Sequence, residues 1–106
     1  MRIATTAPRL HLLVCANRRA ASPLGAGCGD AGDALFAAFR EDVADRGRST
    51  DVWITKTYCL GPCAREGATV ASYPKGRIFT EVRVEEARAL LAHELASVPA
   101  PGGDGR

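Results

Sequence analysis

Two hydrophobic periods divide this chain into its elements. Leu10, His11, Leu12, Leu13 and Val14 form a compact, mostly apolar run that predicts a buried strand stopping at Cys15. Ala16 to Gly29 carries Pro23 and the glycines Gly25, Gly27 and Gly29, and predicts a loop. A helix is expected from near Asp30, whose carboxylate suits a cap on free backbone N–H groups. Leu35, Phe36, Phe39 and Val43 then recur at helical spacing, and Gly47 offers a stop. Asp51 to Thr57 predicts a second strand around Val52, Trp53 and Ile54. Tyr58 to Gly67 predicts a second loop. Ala68–Tyr73 and Arg77–Val82 predict two strands of a hairpin turned by Pro74, Lys75 and Gly76. From about Val84 to Ala96 the residues Val84, Ala87, Leu91 and Leu95 share a helical face, with Glu85 and Glu86 in the first turn and no good capping residue ahead of them.

A crossover helix between the first two strands implies that they run parallel, and the hairpin adds antiparallel strands. The expected fold class is α/β, a mixed four-stranded sheet with two main helices. The 106 residues suit one domain, expected over residues 1–97, and Val98 to Arg106 is Pro- and Gly-rich and expected as a loose tail. The balance of 46% apolar and 25% charged residues is that of a globular protein. A domain of this size has a narrow stability margin, which a bound metal centre would widen. The net charge of +2, with scattered Lys and Arg and no aromatic stripe, argues against a nucleic-acid partner. No apolar run is long enough for membrane insertion. Arg2 and Arg9 precede no signal-peptide core, so a cytoplasmic location is expected.

That location changes the meaning of the four cysteines, because reducing compartments disfavour structural disulfides. Metal or redox chemistry is the alternative. Cys15 and Cys28 are separated by twelve residues and Cys59 and Cys63 by three, all in or beside the two Gly/Pro loops. If the first two strands are parallel neighbours, their loops leave one edge of the sheet and can gather all four thiols. Four thiolates suit a 2Fe-2S cluster or a tetrahedral zinc ion. Zinc knuckles space their ligands by two to four residues, which fits Cys59/Cys63 but not Cys15/Cys28. A wide loop suits the larger cluster, and Gly25, Gly27 and Gly61 would let backbone N–H groups approach its sulfurs. A dithiol oxidoreductase is a further alternative, although such dithiols are spaced by two residues rather than three. The bland alternative, four small buried apolar residues, leaves their loop positions unexplained.

The segments Val14-Cys15-Ala16-Asn17-Arg18-Arg19, Gly27-Cys28-Gly29 and Cys59-Leu60-Gly61-Pro62-Cys63 resemble the thioredoxin-like 2Fe-2S ferredoxins of bacteria. Glu66-Gly67-Ala68-Thr69-Val70 and Tyr73-Pro74-Lys75-Gly76 extend the resemblance, which ends before the tail. It implies a thioredoxin-like fold, a homodimer, and one-electron exchange with a partner redox protein. It also implies that Cys15, Cys28, Cys59 and Cys63 are all ligands, the first two on one iron and the last two on the other.

Arg18, Arg19, Arg65 and Lys75 fall in or near the cysteine loops or the hairpin. They fit a docking patch for an acidic partner, and equally ordinary solvated loop charge. His11 is expected as a packed core or edge residue, His93 facing solvent, and Trp53 in the core or an interface. No Ser/His/Asp set, carboxylate pair or phosphate loop stands out, so no substrate chemistry and no enzyme activity is expected.

Overall fold

The computed structural model describes residues 1–17, 28–58, 60 and 67–97. The elements are β1 (Leu10–Cys15), α1 (Gly29–Asp45), β2 (Val52–Thr57), β3 (Ala68–Tyr73), β4 (Arg77–Val82) and α2 (Ala87–Leu95). They form a mixed sheet in the order β2-β1-β3-β4. β1 pairs parallel with β2, Cys15 opposite Thr57, and antiparallel with β3, Val14 opposite Val70. The parallel pair follows from the crossover through α1.

Both helices pack on one face of the sheet. Leu10, Leu12, Val14, Val52, Ile54, Ala68 and Val70 form that face, each no more than 9% exposed. Leu35, Phe39 and Val43 of α1 and Ala87 and Leu91 of α2 close the core over it. Burial alternates along Leu10–Val14 of β1 and Val52–Thr55 of β2 as the pleat requires, whereas Ala68–Ser72 of β3 are buried without a break. Val84 is exposed, because residues Val84–Glu86 form a 3-10 turn ahead of α2 and carry it outside the helical face. That turn is capped after all: the Glu86 carboxylate accepts the Arg83 backbone N–H at 2.8 Å, half of a capping box.

The start of α1 also differs from expectation. Cys28, not Asp30, is its N-cap residue, and no side chain caps it. Backbone supplies one partner instead, since the Gly29 N–H donates to the Asn17 carbonyl at 3.0 Å. At the other end the expected stop holds. Gly47 has φ +68, its N–H reaches the Ala44 carbonyl and the Arg48 N–H reaches that of Val43, both at 3.0 Å. This is the Schellman arrangement, which needs a residue tolerant of the left-handed region. Asp51 lies just before β2 rather than in it. Its carbonyl accepts the Arg9 N–H at 2.8 Å, and its carboxylate holds Arg48 through both oxygens.

Two buried carboxylates lock the layers. Asp42 of α1 accepts from Arg46 at 3.1 Å and from Arg88 of α2 at 2.7 Å, and Arg88 also reaches Asp45. Glu94 of α2, 1% exposed, accepts the Ser72 hydroxyl of β3 at 2.6 Å. His93 Nδ1 lies 2.9 Å and Arg77 3.4 Å from its other oxygen. Burial alone would raise the Glu94 pKa, but these three partners together outweigh it and hold the carboxyl below its ordinary value of about 4.5. A depressed carboxylate stabilises the fold above its unfolded pKa, and that contribution fades as pH falls through the folded value. Glu94→Gln should therefore cost on the order of 1–3 kcal/mol at neutral pH. In a urea series the gap from the parent chain should narrow below pH 4.5. A gap that stays constant into acid would contradict the assignment.

The opposite face of the sheet carries no helix among the described residues. His11, Leu13, Trp53, Thr55, Tyr73 and Ile78 lie on it by register. Trp53, expected in a core or an interface, is 36% exposed there, so it is not core; Tyr73 is 45% and Ile78 47% exposed. His11 Nε2 lies 2.7 Å from Thr55 Oγ1, and its ring meets Trp53 edge-on at 5.8 Å. Burial pushes the His11 imidazole below its ordinary pKa of 6.5, so it is neutral at pH 7.

Candidate metal centre

Three strand ends converge at one edge of the sheet. β1 ends at Cys15, parallel β2 ends opposite it at Thr57, and antiparallel β3 begins there at Ala68. The Ala16 N–H donates to the Thr57 carbonyl at 2.9 Å, so the β1–β2 pairing continues past the last strand residue. The first cysteine loop leaves from β1, and the second runs from the end of β2 to the start of β3. Both are therefore anchored at this edge by topology.

Cys15 and Cys28 meet there. Both are buried, at 2% and 3% exposure, both are free thiols, and the Cys28 side chain is near enough to raise the Cys15 pKa. Backbone N–H groups of Asn17 and Leu60 point at the Cys15 sulfur. Burial pushes the Cys15 thiol up; the Asn17 N–H opposes this, the Cys28 thiol adds to it, and the Leu60 N–H opposes it. Thirteen positions apart in sequence, the two thiols are brought side by side because α1 begins against the end of β1.

Cys59 and Cys63 lie outside the described residues, as do Arg18, Arg19 and Arg65, and Gly25, Gly27 and Gly61. Leu60, the sequence neighbour of Cys59, is described, and its N–H contact with Cys15 ties the second cysteine segment to the first. Among the described residues no cluster of three or more metal-ligating side chains occurs. The described thiol pair fits half of a four-thiolate site: two buried sulfurs in contact, with N–H donors aimed at one of them.

Lys75 does not belong to this edge. It sits in the β3–β4 turn, next to the end of β3 that pairs with the beginning of β1. That places it on the order of 15 Å from Cys15 along the strands. His93 is exposed but leans on Glu94, and His11 lies on the open sheet face; neither approaches Cys15 in any hydrogen bond. The donors Asn17 and Leu60 were not legible in sequence, because a backbone N–H has no residue signature. The one available signal was Gly32, a glycine inside a helix, where it is disfavoured by about 1 kcal/mol relative to alanine without a packing reason.

No family model matches the sequence, and no curated protein matches it either. Solved structures do. The wild-type thioredoxin-like [2Fe-2S] ferredoxin from Aquifex aeolicus superimposes with a TM-score of 0.74 at 28% identity, over 89% of this chain and 93% of that one. A second structure of a thioredoxin-like [2Fe-2S] ferredoxin from Aquifex aeolicus gives 0.74 at 26% identity, over 89% and 87%. This chain has the fold of the thioredoxin-like [2Fe-2S] ferredoxins. A cysteine-to-serine variant of the ferredoxin from the same organism gives 0.72 at 25% identity, over 91% of both chains. The expected thioredoxin-like fold is thereby shown, and the motif resemblance to these ferredoxins is matched by the backbone over most of the chain. Among the described residues no helix is long and apolar enough to cross a membrane.

Proposed function

We propose that this chain is a one-electron carrier that holds a single 2Fe-2S cluster on Cys15, Cys28, Cys59 and Cys63. The observation that carries the reading is the buried, neighbouring Cys15–Cys28 pair at the edge where both cysteine loops are anchored, in a chain with the fold of the 2Fe-2S ferredoxins. Contact between these two thiols supports placing them on one iron, with Cys59 and Cys63 on the other. Bound there, the cluster would accept and release one electron. The chain's own part is to supply the thiolates, bury them, and aim the Asn17 and Leu60 N–H groups at sulfur, where they favour the more negative reduced state. The reading assigns electron transfer to a partner redox protein and no substrate turnover. The free thiols Cys15 and Cys28 suit the reducing cytoplasm. Residues 1–97 form the working domain in this reading, and 98–106, outside the described residues, a tail.

Protein purified without oxygen should contain two irons and two acid-labile sulfides per chain, a ratio set by the proposed cluster. Cys28→Ala and Cys63→Ala should each lose most of both and melt at lower temperature, because ligand loss removes folding energy. Stoichiometric zinc without labile sulfide would sink the reading. It would favour a structural zinc module instead.

Four thiolates without a histidine ligand set a low potential, on the order of −200 to −450 mV. Redox titration followed by EPR reads it directly, and a midpoint above zero would require other ligands.

We also propose a homodimer through the open face of the sheet. Its support is the exposure of Trp53, Tyr73 and Ile78 on a face where they and Leu13, Thr55 and neutral His11 bring no charge. Such a face is compatible with a second copy of itself in an isologous contact. Sedimentation should give a dimer for the parent chain. Trp53→Glu combined with Tyr73→Glu should give a folded monomer, since each new charge would face the partner's apolar patch. A dimer that survives both changes would place the interface elsewhere.

A further inference from the structure

We propose that Gly32 is the positioning residue of the cysteine pair: without a side chain, it lets the first turn of α1 lie on the Cys15–Ala16 peptide, and this crossing sets where Cys28 stands relative to Cys15. The inference rests on the cluster reading above and names the contact that would present two of its ligands together.

Gly32 lies in the first turn of α1, four residues after Cys28, and its N–H donates to the Cys28 carbonyl at 2.6 Å. A Cβ built on it would collide with the Cys15 carbonyl oxygen and would stand 2.9 Å from both the Cys15 carbonyl carbon and the Ala16 Cα. All three obstacles are backbone atoms, so no change of rotamer could relieve the collision. To reach ordinary contact near 3.4 Å, the helix would have to retreat from the Ala16 Cα by about half an ångström, and from the Cys15 carbonyl oxygen by more. Metal–ligand distances tolerate only about 0.2 Å. The crossing has a second tie, the Gly29 N–H to the Asn17 carbonyl at 3.0 Å, and Asn17 in turn aims its own N–H at the Cys15 sulfur. A short chain of backbone contacts thus runs from one thiol-bearing residue to the other. Gly47 makes the contrast: it needs glycine for its φ of +68 and has open space around its missing Cβ. Gly32 needs glycine for space.

The test compares the parent chain, Gly32→Ala and Gly47→Ala, each loaded anaerobically with iron and sulfide and checked for folding by far-UV circular dichroism. The readouts are the g-values of the reduced state, the midpoint potential, and the half-time of iron release to a chelator. Gly32→Ala should release iron at least tenfold faster, with shifted g-values. Gly47→Ala is strained by its backbone but remote from the thiols, and should keep the parent values. Parent-like g-values, potential and release rate in folded Gly32→Ala would overturn the proposal alone. A parent chain that takes up no labile sulfide would overturn the cluster reading and the proposal together. Should Gly32→Ala fail to fold, amide exchange in the loaded parent chain decides. A Gly29 amide protected as well as those of Leu12 and Val14 supports the crossing, and its exchange at the rate of exposed amides refutes it.

Discussion

The close crossing of α1 over the end of β1 is the contact on which the candidate site depends. Cys15 is placed by the sheet, as the last residue of a strand held on both sides. Cys28 is placed by the helix, as its N-cap residue. Only where the helix touches the strand end do the two thiols meet. That touch is made of backbone: a glycine against a peptide and one N–H···O bond. Backbone contacts of this kind are stiff, which suits a site whose ligands must be held to tenths of an ångström.

The rest of the molecule keeps that crossing in place. α1 is pressed on the sheet by Leu35, Phe39 and Val43, and tied to α2 through the Asp42–Arg88 pair. α2 is anchored on β3 by the buried Glu94–Ser72 bond. Each buried carboxylate has cationic or hydroxyl partners, so neither stands as an isolated charge. The helices and the core they cover occupy one face, and the site occupies one edge. The second face is left with aromatic and aliphatic side chains exposed, a surface available for assembly.

The edge also explains why the basic residues of the sequence cannot be treated as one patch. Lys75 is close to the second cysteine loop in sequence and to the far end of the sheet in space, because β3 runs antiparallel to β1 and carries the hairpin turn away from Cys15. Tyr58 lies immediately before Cys59 and is 84% exposed, so an aromatic ring rather than a lysine stands at the described rim of this edge.

What the sequence determined by itself was local and periodic. Apolar spacing located β1, α1 and the hairpin, with β3 and β4 at their observed bounds, because side-chain burial repeats every two residues in a strand and every 3.6 in a helix. The crossover rule then supplied the parallel β1–β2 pair, and cysteine spacing with the ferredoxin-like motifs supplied the candidate chemistry. The tertiary structure alone decided the rest. It made Cys28 the start of α1 in place of Asp30, capped the turn before α2 through Glu86, and put Val84 and Trp53 in solvent. It also assigned Gly32 and the N–H groups of Asn17 and Leu60 to the site. Caps, close approaches and N–H···S contacts join backbone atoms whose position depends on the whole packed chain. A backbone atom is the same in every residue, so no pattern of side chains announces where it will point.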